Sequence, residues 1–559
     1  MIEPSERSVR RHRIPALFIL AALVAVGLAI LLQHPASLLT VSELATRAGG
    51  NPVRPARVAS FLQGVGLALA IGAGGFALAA VLWNSRRMLA VSRGIPSALQ
   101  NPGVLVVLFC VVFLVARIPF YAAPLRGEDG QFAVLFLDHP SGPNYGAIGR
   151  IDGREIFHPL GHPAPMYELV SWLGAVVQTI VPMEALDEAQ TEFLIRLAFS
   201  LFSLAILVPF LFWARRVARG GNEVAGRLMT LVVFLVAVSP LATSASADLQ
   251  VDGTSGFLAF GVVAHVVLAL SEQRTRVRAA ALGFIAGSLV GLGKQEWSLA
   301  LLMSGCVTLV GLWFLSRRKG AREMDRTWLV YGLTSTVGCL VANAASYAFD
   351  PINYQQGLDI LFRLSGGNTI ANRGATWLPI LAYRLPFTAP LLIAAGVLIV
   401  ALLRRSPMVT LAIQSFPGFY LATLSVALFV PYFFSSWGST GRYFVPASVA
   451  LLGLLFVVLR SGHAPQALRT WGLSLGLVGV LSLAFWCYQG ARVYFQIDQV
   501  AQERRALDVG SGVRWLGIGD VYHRSVDYIA DSMSLSDAQA IARGHGKELR
   551  GPNGEVLNP

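Results

Sequence analysis

Apolar runs long enough to cross a bilayer recur from one end of this chain to the other, and no other feature limits its fold as much. They fall at 15–33, 60–84, 103–120, 193–214, 228–243, 253–270, 279–293, 297–316, 328–347, 385–403, 409–433, 443–459 and 471–488. A bilayer core is spanned by about 20 apolar residues in a helix. In lipid the backbone must satisfy its own polar groups, so only helices and closed barrels cross. A transmembrane barrel would alternate apolar and polar residues in segments of about ten, and these runs do not. The expected fold class is therefore an all-α polytopic membrane protein with about thirteen transmembrane helices.

Charge placement sets the expected topology. Short basic loops mark the cytoplasmic side. With the N-terminus inside, behind Arg7, Arg10, Arg11 and Arg13, the loops holding Arg86, Arg87 and Arg93, then Arg215, Arg216 and Arg219, then Arg274, Arg276 and Arg278 all fall inside. The same holds for Arg317, Arg318, Lys319 and Arg322, for Arg404 and Arg405, and for Arg460 and Arg469. The exception is the first outer loop, with Arg47, Arg54 and Arg57. The run at 166–183 spoils the scheme if it spans, because Arg215, Arg216 and Arg219 would then face out; it is expected to be an interfacial or re-entrant helix on the outer face.

The formal net charge of +13 invites a nucleic-acid reading. The positive side chains lie in short loops between apolar runs and form no stripe, so nucleic acid is not an expected partner; membrane lipids are. Only 13% of residues are charged, about half the usual share of a soluble domain. Cys110, Cys306, Cys339 and Cys487 sit singly inside apolar runs with no metal or redox spacing, and are expected to pack.

The expected organisation is two spans at 1–100, further spans at 101–460 with a long outer loop at 121–190, a last span at 461–490, and an extracytoplasmic C-terminal tail at 491–559. The loop holds the chain's most polar stretch, LRGEDGQFAVLFLDHPSGPNYGAIGRIDGREIFHPLGHPAP from Leu125 to Pro165. Long structured loops are usually functional. Two adjacent carboxylates, Glu128 and Asp129, open it just after an apolar span, and His158 and His162 close it.

Other outward span ends carry a further polar set: Asp248 and Asp252 in SADLQVDGTSGF, Lys294 and Glu296 in GLGKQEW, and Arg442 in SSWGSTGRYFVP. Ionisable residues at such depth are costly and often functional. The chemistry that suits them is transfer from a lipid phosphate. A surface carboxylate can take a proton from an acceptor hydroxyl. A Lys or Arg at headgroup level can hold the phosphate and offset charge on the leaving group. Simpler roles stand beside these: solvated loop charges for Glu128 and Asp129, turn-forming positions for the histidines, a helix cap for Asp252, and snorkelling anchors for Lys294 and Arg442.

In order and placement these elements resemble the GT-C superfamily of polyprenyl-phosphate-sugar glycosyltransferases, nearest the protein O-mannosyltransferase and lipid A aminoarabinose transferase branch. The acidic pair early in the first large outer loop is Glu128-Asp129, reversed from the family's usual Asp-Glu. HPLGHPAPMYELVSWL resembles the family's basic-Pro-Pro-Leu element, and Glu192, Arg196 and Leu197 fit its E-x-x-x-R-L helix. Asp252 or Asp248 matches its next outer Asp, GLGKQEWSLALL places Lys294, and GRYFVPASVALL places Arg442.

The resemblance marks 1–100 as an N-terminal addition and 101–460 as the core. It implies inverting transfer of a sugar from a polyprenyl-phosphate donor to a hydroxyl on a glycan, lipid or protein acceptor. A bacterial inner membrane is the expected location, since the sequence shows no organellar targeting signal; an endoplasmic reticulum membrane would fit the same topology. The resemblance also implies Glu128 or Asp129 as base and Lys294 with Arg442 on the donor phosphate. His158, His162, Asp248, Asp252 and Glu296 would support the site or contact the acceptor. Branches with and without a divalent metal exist; the acidic residues here suit either, and no ligand spacing singles out a metal. A transporter or lipid flippase is the competing reading. It would place charges and Gly/Pro breaks near mid-span in paired halves. A non-catalytic scaffold would need no gathered outer-face charges.

Overall fold

The computed structural model describes residues 101–121, 149–151, 154–156, 164–182, 188–239, 241–243, 251–273, 275–319, 326–349, 391–434 and 441–461. It also describes 19–20, 22–30, 515–516, 549–550 and the single or paired positions 66, 70, 73, 186, 351, 354–355 and 357–358. The described part is a helical membrane-type bundle. In chain order its helices are α1 (Pro102–Val115), α2 (Ile118–Tyr121), α3 (Ala164–Ile180), α4 (Glu188–Arg219), α5 (Glu223–Val238), α6 (Val251–Glu272), α7 (Arg276–Gly291), α8 (Gln295–Lys319) and α9 (Arg326–Phe349). They continue as α10 (Leu391–Leu403), α11 (Pro407–Ile413), α12 (Phe416–Phe434) and α13 (Val445–Arg460). Two short antiparallel ladders accompany them, Gly149–Ile151 with Arg154–Ile156 and Trp515–Leu516 with Leu549–Arg550.

Five of these helices are long and apolar enough to cross a bilayer, or six if α10 and α11 count as one bent span. Their outward faces are apolar: Val426 is 60% exposed, Leu333 58% and Val310 54%. A water-soluble bundle would put charge there. The helix α3 is separate and 17 residues long. It touches α6 and α9, and Trp172, Val176 and Ile180 on it are exposed.

Two of the expected spans are not single helices. The run at 228–243 ends as a helix at Val238, because Ser239 precedes Pro240 and takes an extended conformation. The run at 409–433 is divided at Gln414 and Ser415 between α11 and α12. Ser415 starts the new helix, its Oγ accepting from the Gly418 N–H at 3.3 Å, with Pro417 in the first turn. The α10 and α11 axes differ by 103°.

The core centres on α13, buried from Val445 to Leu459 save Ser448. It packs against α5, α6, α11 and α12. The closest helix pair is α7 with α9. Gly283, Gly287 and Gly291 repeat at four-residue spacing along α7, and α9 lies directly on them. A Cβ on Gly291 would come 2.5 Å from the Cys339 carbonyl oxygen, one on Gly283 2.7 Å from that of Tyr331, and one on Gly287 would overlap the Ser335 carbonyl. Small residues at this spacing let membrane helices approach backbone to backbone.

The helix ends sort into two groups. Arg216 near the end of α4, Glu272 at the end of α6 and Arg460 at the end of α13 meet, with Arg216 Nη1 to Glu272 Oε2 at 2.8 Å and Arg460 Nη1 to Glu272 Oε1 at 3.6 Å. At the opposite end the starts of α6, α8 and α13 lie with the end of α12. In the expected topology the first end is cytoplasmic.

Candidate functional site

The α7–α9 seam delivers one end of the bundle in fixed register. Past Gly291 the chain turns through Leu292, Gly293 and Lys294 into α8, whose first amides bond back to the Lys294 carbonyl, Trp297 N at 3.0 Å and Ser298 N at 3.3 Å. Gly293 is needed there because Trp297 folds over the turn; a Cβ would lie 2.6 Å from its ring. Trp297 is buried and meets Phe260 of α6 edge to face at 5.6 Å.

This turn sets Lys294 inside the protein. It is 6% exposed, so the snorkelling role does not apply. Its Nζ lies 5.0 Å from the Tyr443 ring centroid and 4.0 Å from Glu296 Oε1. Tyr432, at the end of α12, donates its O–H to Glu296 Oε1 at 2.7 Å. The Tyr432 and Tyr443 rings stack at 4.9 Å and 16°. Tyr443 belongs to the 3-10 turn Gly441–Phe444 that leads into α13. Two stretches far apart in sequence, 294–296 and 432–443, thus converge on one lysine and one carboxylate.

A second polar line runs beside it. Tyr354 donates to Asn343 Oδ1 at 3.1 Å, and Asn343 Nδ2 donates to Ser298 Oγ at 2.9 Å and the Cys339 carbonyl at 2.8 Å. Gln295 Nε2 donates to the Tyr354 carbonyl at 3.4 Å. Burial, with a smaller push from Cys339, raises the Tyr354 phenol above its ordinary value and keeps it a neutral donor. This line ties the first turn of α8 to the end of α9 and holds the Lys294 turn from the other side.

Of the residues expected from sequence, Lys294 and Glu296 come together as neighbours. Asp252 and Arg442 are placed by their backbones, Asp252 in the first turn of α6 and Arg442 in the 3-10 turn next to Tyr443. Gly256, one turn on from Asp252, packs so closely on Pro446 that a Cβ would lie 2.9 Å from its Cγ. Both therefore start at the Lys294 end. Glu128, Asp129, His158, His162 and Asp248 lie outside the described residues, as do the 60–84 span except for isolated positions and the 471–488 span. Among the described residues no three His, Cys, Asp or Glu side chains gather as a metal site would require.

Arg196, in the E-x-x-x-R-L segment, is buried at 2% exposure in the first part of α4. Cys110, Cys306 and Cys339 are unbridged.

Two residues at this end escape a reading of the sequence. Tyr432 sits in the aromatic run PYFF, which reads as an ordinary interfacial belt, and Tyr443 is hidden in the same way. Arg117 did carry a signal, as a charge inside an apolar run. It is fully buried. Its Nη1 donates to the Phe113 and Ala237 carbonyls, both at 2.9 Å, and its Nη2 to the Ala242 carbonyl at 3.2 Å. The guanidinium also lies 3.4 Å over the Phe113 ring. Phe113 and Ala237 are last-turn residues of α1 and α5, so Arg117 satisfies carbonyls that helix ends leave unpaired, where the helix dipoles favour a cation. Four residues on, Tyr121 meets Phe193 of α4 edge to face at 5.3 Å. The segment that leads into the acidic loop is thus pinned to α5 and α4.

Chemically the cluster offers a buried cation, a fixed carboxylate and phenols at a membrane-level helix junction. Such a cation can hold an oxyanion. No family model matches the chain, and no curated protein or solved structure matches it.

Proposed function

We propose that the protein is a GT-C-type glycosyltransferase of a bacterial inner membrane, with about thirteen spans, a cytoplasmic N-terminus and an extracytoplasmic C-terminus. It moves a sugar from a polyprenyl-phosphate donor to an acceptor hydroxyl on the outer face, with inversion. Glu128 or Asp129 takes the hydroxyl proton, and Lys294 with Arg442 holds the donor phosphate.

One observation carries the proposal. The buried Lys294–Glu296–Tyr432–Tyr443 cluster gathers where α12 ends and α13 begins, and those two helices, with α10 and α11, wall an apolar cavity of about 220 Å³. Phe429, Val430 and Ala447 of the cavity wall lie within about one helical turn of Tyr432 and Tyr443, and the wall continues through Val426 and Leu451 to Leu398 and Leu454. A cation near an apolar slot matches an amphiphile with an anionic head and a long hydrocarbon tail. A desolvated lysine stabilises charge building on a departing phosphate more strongly than one in water.

The test is transfer from radiolabelled polyprenyl-phosphate sugars by purified protein in detergent, with a cell-envelope extract as acceptor. Wild type is expected to transfer. A folded Glu128→Gln/Asp129→Asn variant is expected to lose transfer. Unchanged transfer in that variant overturns the base assignment. No transfer by wild type, together with lipid movement in vesicles, would favour the flippase reading.

A further inference from the structure

The Lys294 site contains its own anion, and that limits what phosphate it can keep. Glu296 Oε1 is 4.0 Å from Lys294 Nζ, beyond hydrogen-bond length, and Tyr432 holds that same oxygen at 2.7 Å. The side chains of Lys294 and Glu296 are 8% and 14% exposed, so water screens them poorly. A phosphate on Lys294 therefore sits beside a carboxylate that cannot swing away without losing its Tyr432 bond.

The proposed reaction changes the charge on that phosphate. The donor is a phosphodiester with one negative charge. In transfer the acceptor oxygen forms its bond to the anomeric carbon, and the bond from that carbon to the phosphate oxygen breaks. The bonding pair stays on the phosphate, and the acceptor proton goes to the loop carboxylate. What remains is a phosphomonoester. Its second ionisation lies near pH 6, so it is mostly a dianion at neutral pH.

We propose that Glu296 is a specificity-determining residue of this site, discriminating by charge against the dianionic phosphomonoester and so speeding its departure after transfer. The proposal rests on the reading of Lys294 as the phosphate cation. Repulsion from a fixed carboxylate scales with the charge it faces. Whatever factor Glu296 costs a monoanion, it costs a dianion about the square of that factor. The residue thus weakens donor binding a little and product binding much more.

The experiment measures binding of two short probes to the purified full-length chain in detergent at neutral pH. One is farnesyl phosphate, a monoester; the other is its methyl phosphodiester. Glu296→Gln keeps an oxygen for Tyr432 and removes only the charge. It is expected to tighten the diester about threefold and the monoester about tenfold. Tyr432→Phe keeps the charge but frees the carboxylate to move away; it is expected to shift the ratio of the two affinities in the same direction as Glu296→Gln, by a smaller factor. Thermal unfolding of each variant checks that it is folded.

Equal changes for both probes in Glu296→Gln, or none, would overturn the proposal. Lys294→Met separates this from failure of the underlying reading. If it weakens both probes while Glu296→Gln shifts them equally, only the discrimination falls. If Lys294→Met leaves both affinities unchanged, the phosphate site falls with it.

Discussion

At one end of the bundle Glu272 lies between Arg216 and Arg460, at 2.8 and 3.6 Å. At the other end Glu296 lies 4.0 Å from Lys294 and accepts a hydrogen bond from Tyr432. The carboxylates are about equally enclosed, 12% and 14% exposed, but their cations are not. Arg216 is 60% exposed and Arg460 39%, while Lys294 is 8%. The Glu272 group is closed: one anion and two half-solvated guanidiniums that tie the ends of α4, α6 and α13. The Glu296 group is drier: its cation is 4.0 Å from the carboxylate and is cut off from water. The first arrangement suits holding helices together. The second suits stabilising an anion, because a desolvated cation acts on a nearby charge more strongly than one in water.

The α7–α9 seam joins the two ends, so a break there is expected to have the largest effect and to move both readouts. A side chain on Gly287 must displace the Ser335 backbone. Gly287→Val is expected to cost at least about 4 kcal/mol and to abolish transfer with it. Thermal unfolding and transfer assays on one detergent preparation check this. If Gly287→Val unfolds normally, the seam is not what sets the Lys294 turn.

The next effect should separate the two readouts. Lys294→Met/Glu296→Gln removes both charges of the buried pair at similar volume. Replacing a buried ion pair in this way is commonly neutral or slightly stabilising, while loss of a preorganised donor at a leaving group costs about 100-fold or more in rate. The double variant is therefore expected to unfold at or above the wild-type temperature and to transfer at 1% of the wild-type rate or about that. A stability loss as large as that of Gly287→Val would make this end structural too, and the contrast would fail.

Glu272→Gln should do the reverse. Its arginines can return to water, so the cost is limited to about 1–2 kcal/mol, seen as a lower unfolding temperature, with transfer close to wild type. Molar salt should narrow the difference, because the pair is partly exposed. A selective loss of transfer would show that the closed end takes part in function.

Much of this architecture can be read from the residues, and what cannot has a clear reason. The long apolar helices follow from run length. The pairing of Lys294 with Glu296 does not follow from spacing, since residues two apart on a helix face apart; it arises because Lys294 sits in the turn ahead of α8. The division of 409–433 was marked by Ser415 and Pro417, a helix-start signal inside an otherwise continuous apolar run. The glycine repeat on α7 was visible as spacing, but not its partner, because nothing local points to α9. Tyr432 reaches Glu296 across 136 positions and Arg117 reaches Ala242 across 125. Contacts at such separation leave no local trace. Hydrophobic pattern settles which residues leave water; it does not settle which helix they meet.

The smallest expected effect lies at the closed end, where α10 stops. Ser406 N–H bonds to the Ala401 carbonyl at 2.9 Å and Arg405 N–H to the Leu402 carbonyl at 2.9 Å, the paired bonds of a helix ending on a left-handed residue. That residue is Arg405, with φ of +53°, at a position where glycine is usual because a Cβ crowds the backbone there. Arg405→Gly relieves the crowding but gives the unfolded chain more freedom, so the net gain is about 0.5–1 kcal/mol. It should appear as a slightly higher unfolding temperature, with transfer unchanged. Arg405→Ala keeps the Cβ and removes the charge, and should give no such gain. If both substitutions stabilise equally, the benefit comes from relieving repulsion between Arg404 and Arg405. This end would then be held by its charge balance, and the account of Glu272 as a sufficient clamp would need its neighbours included.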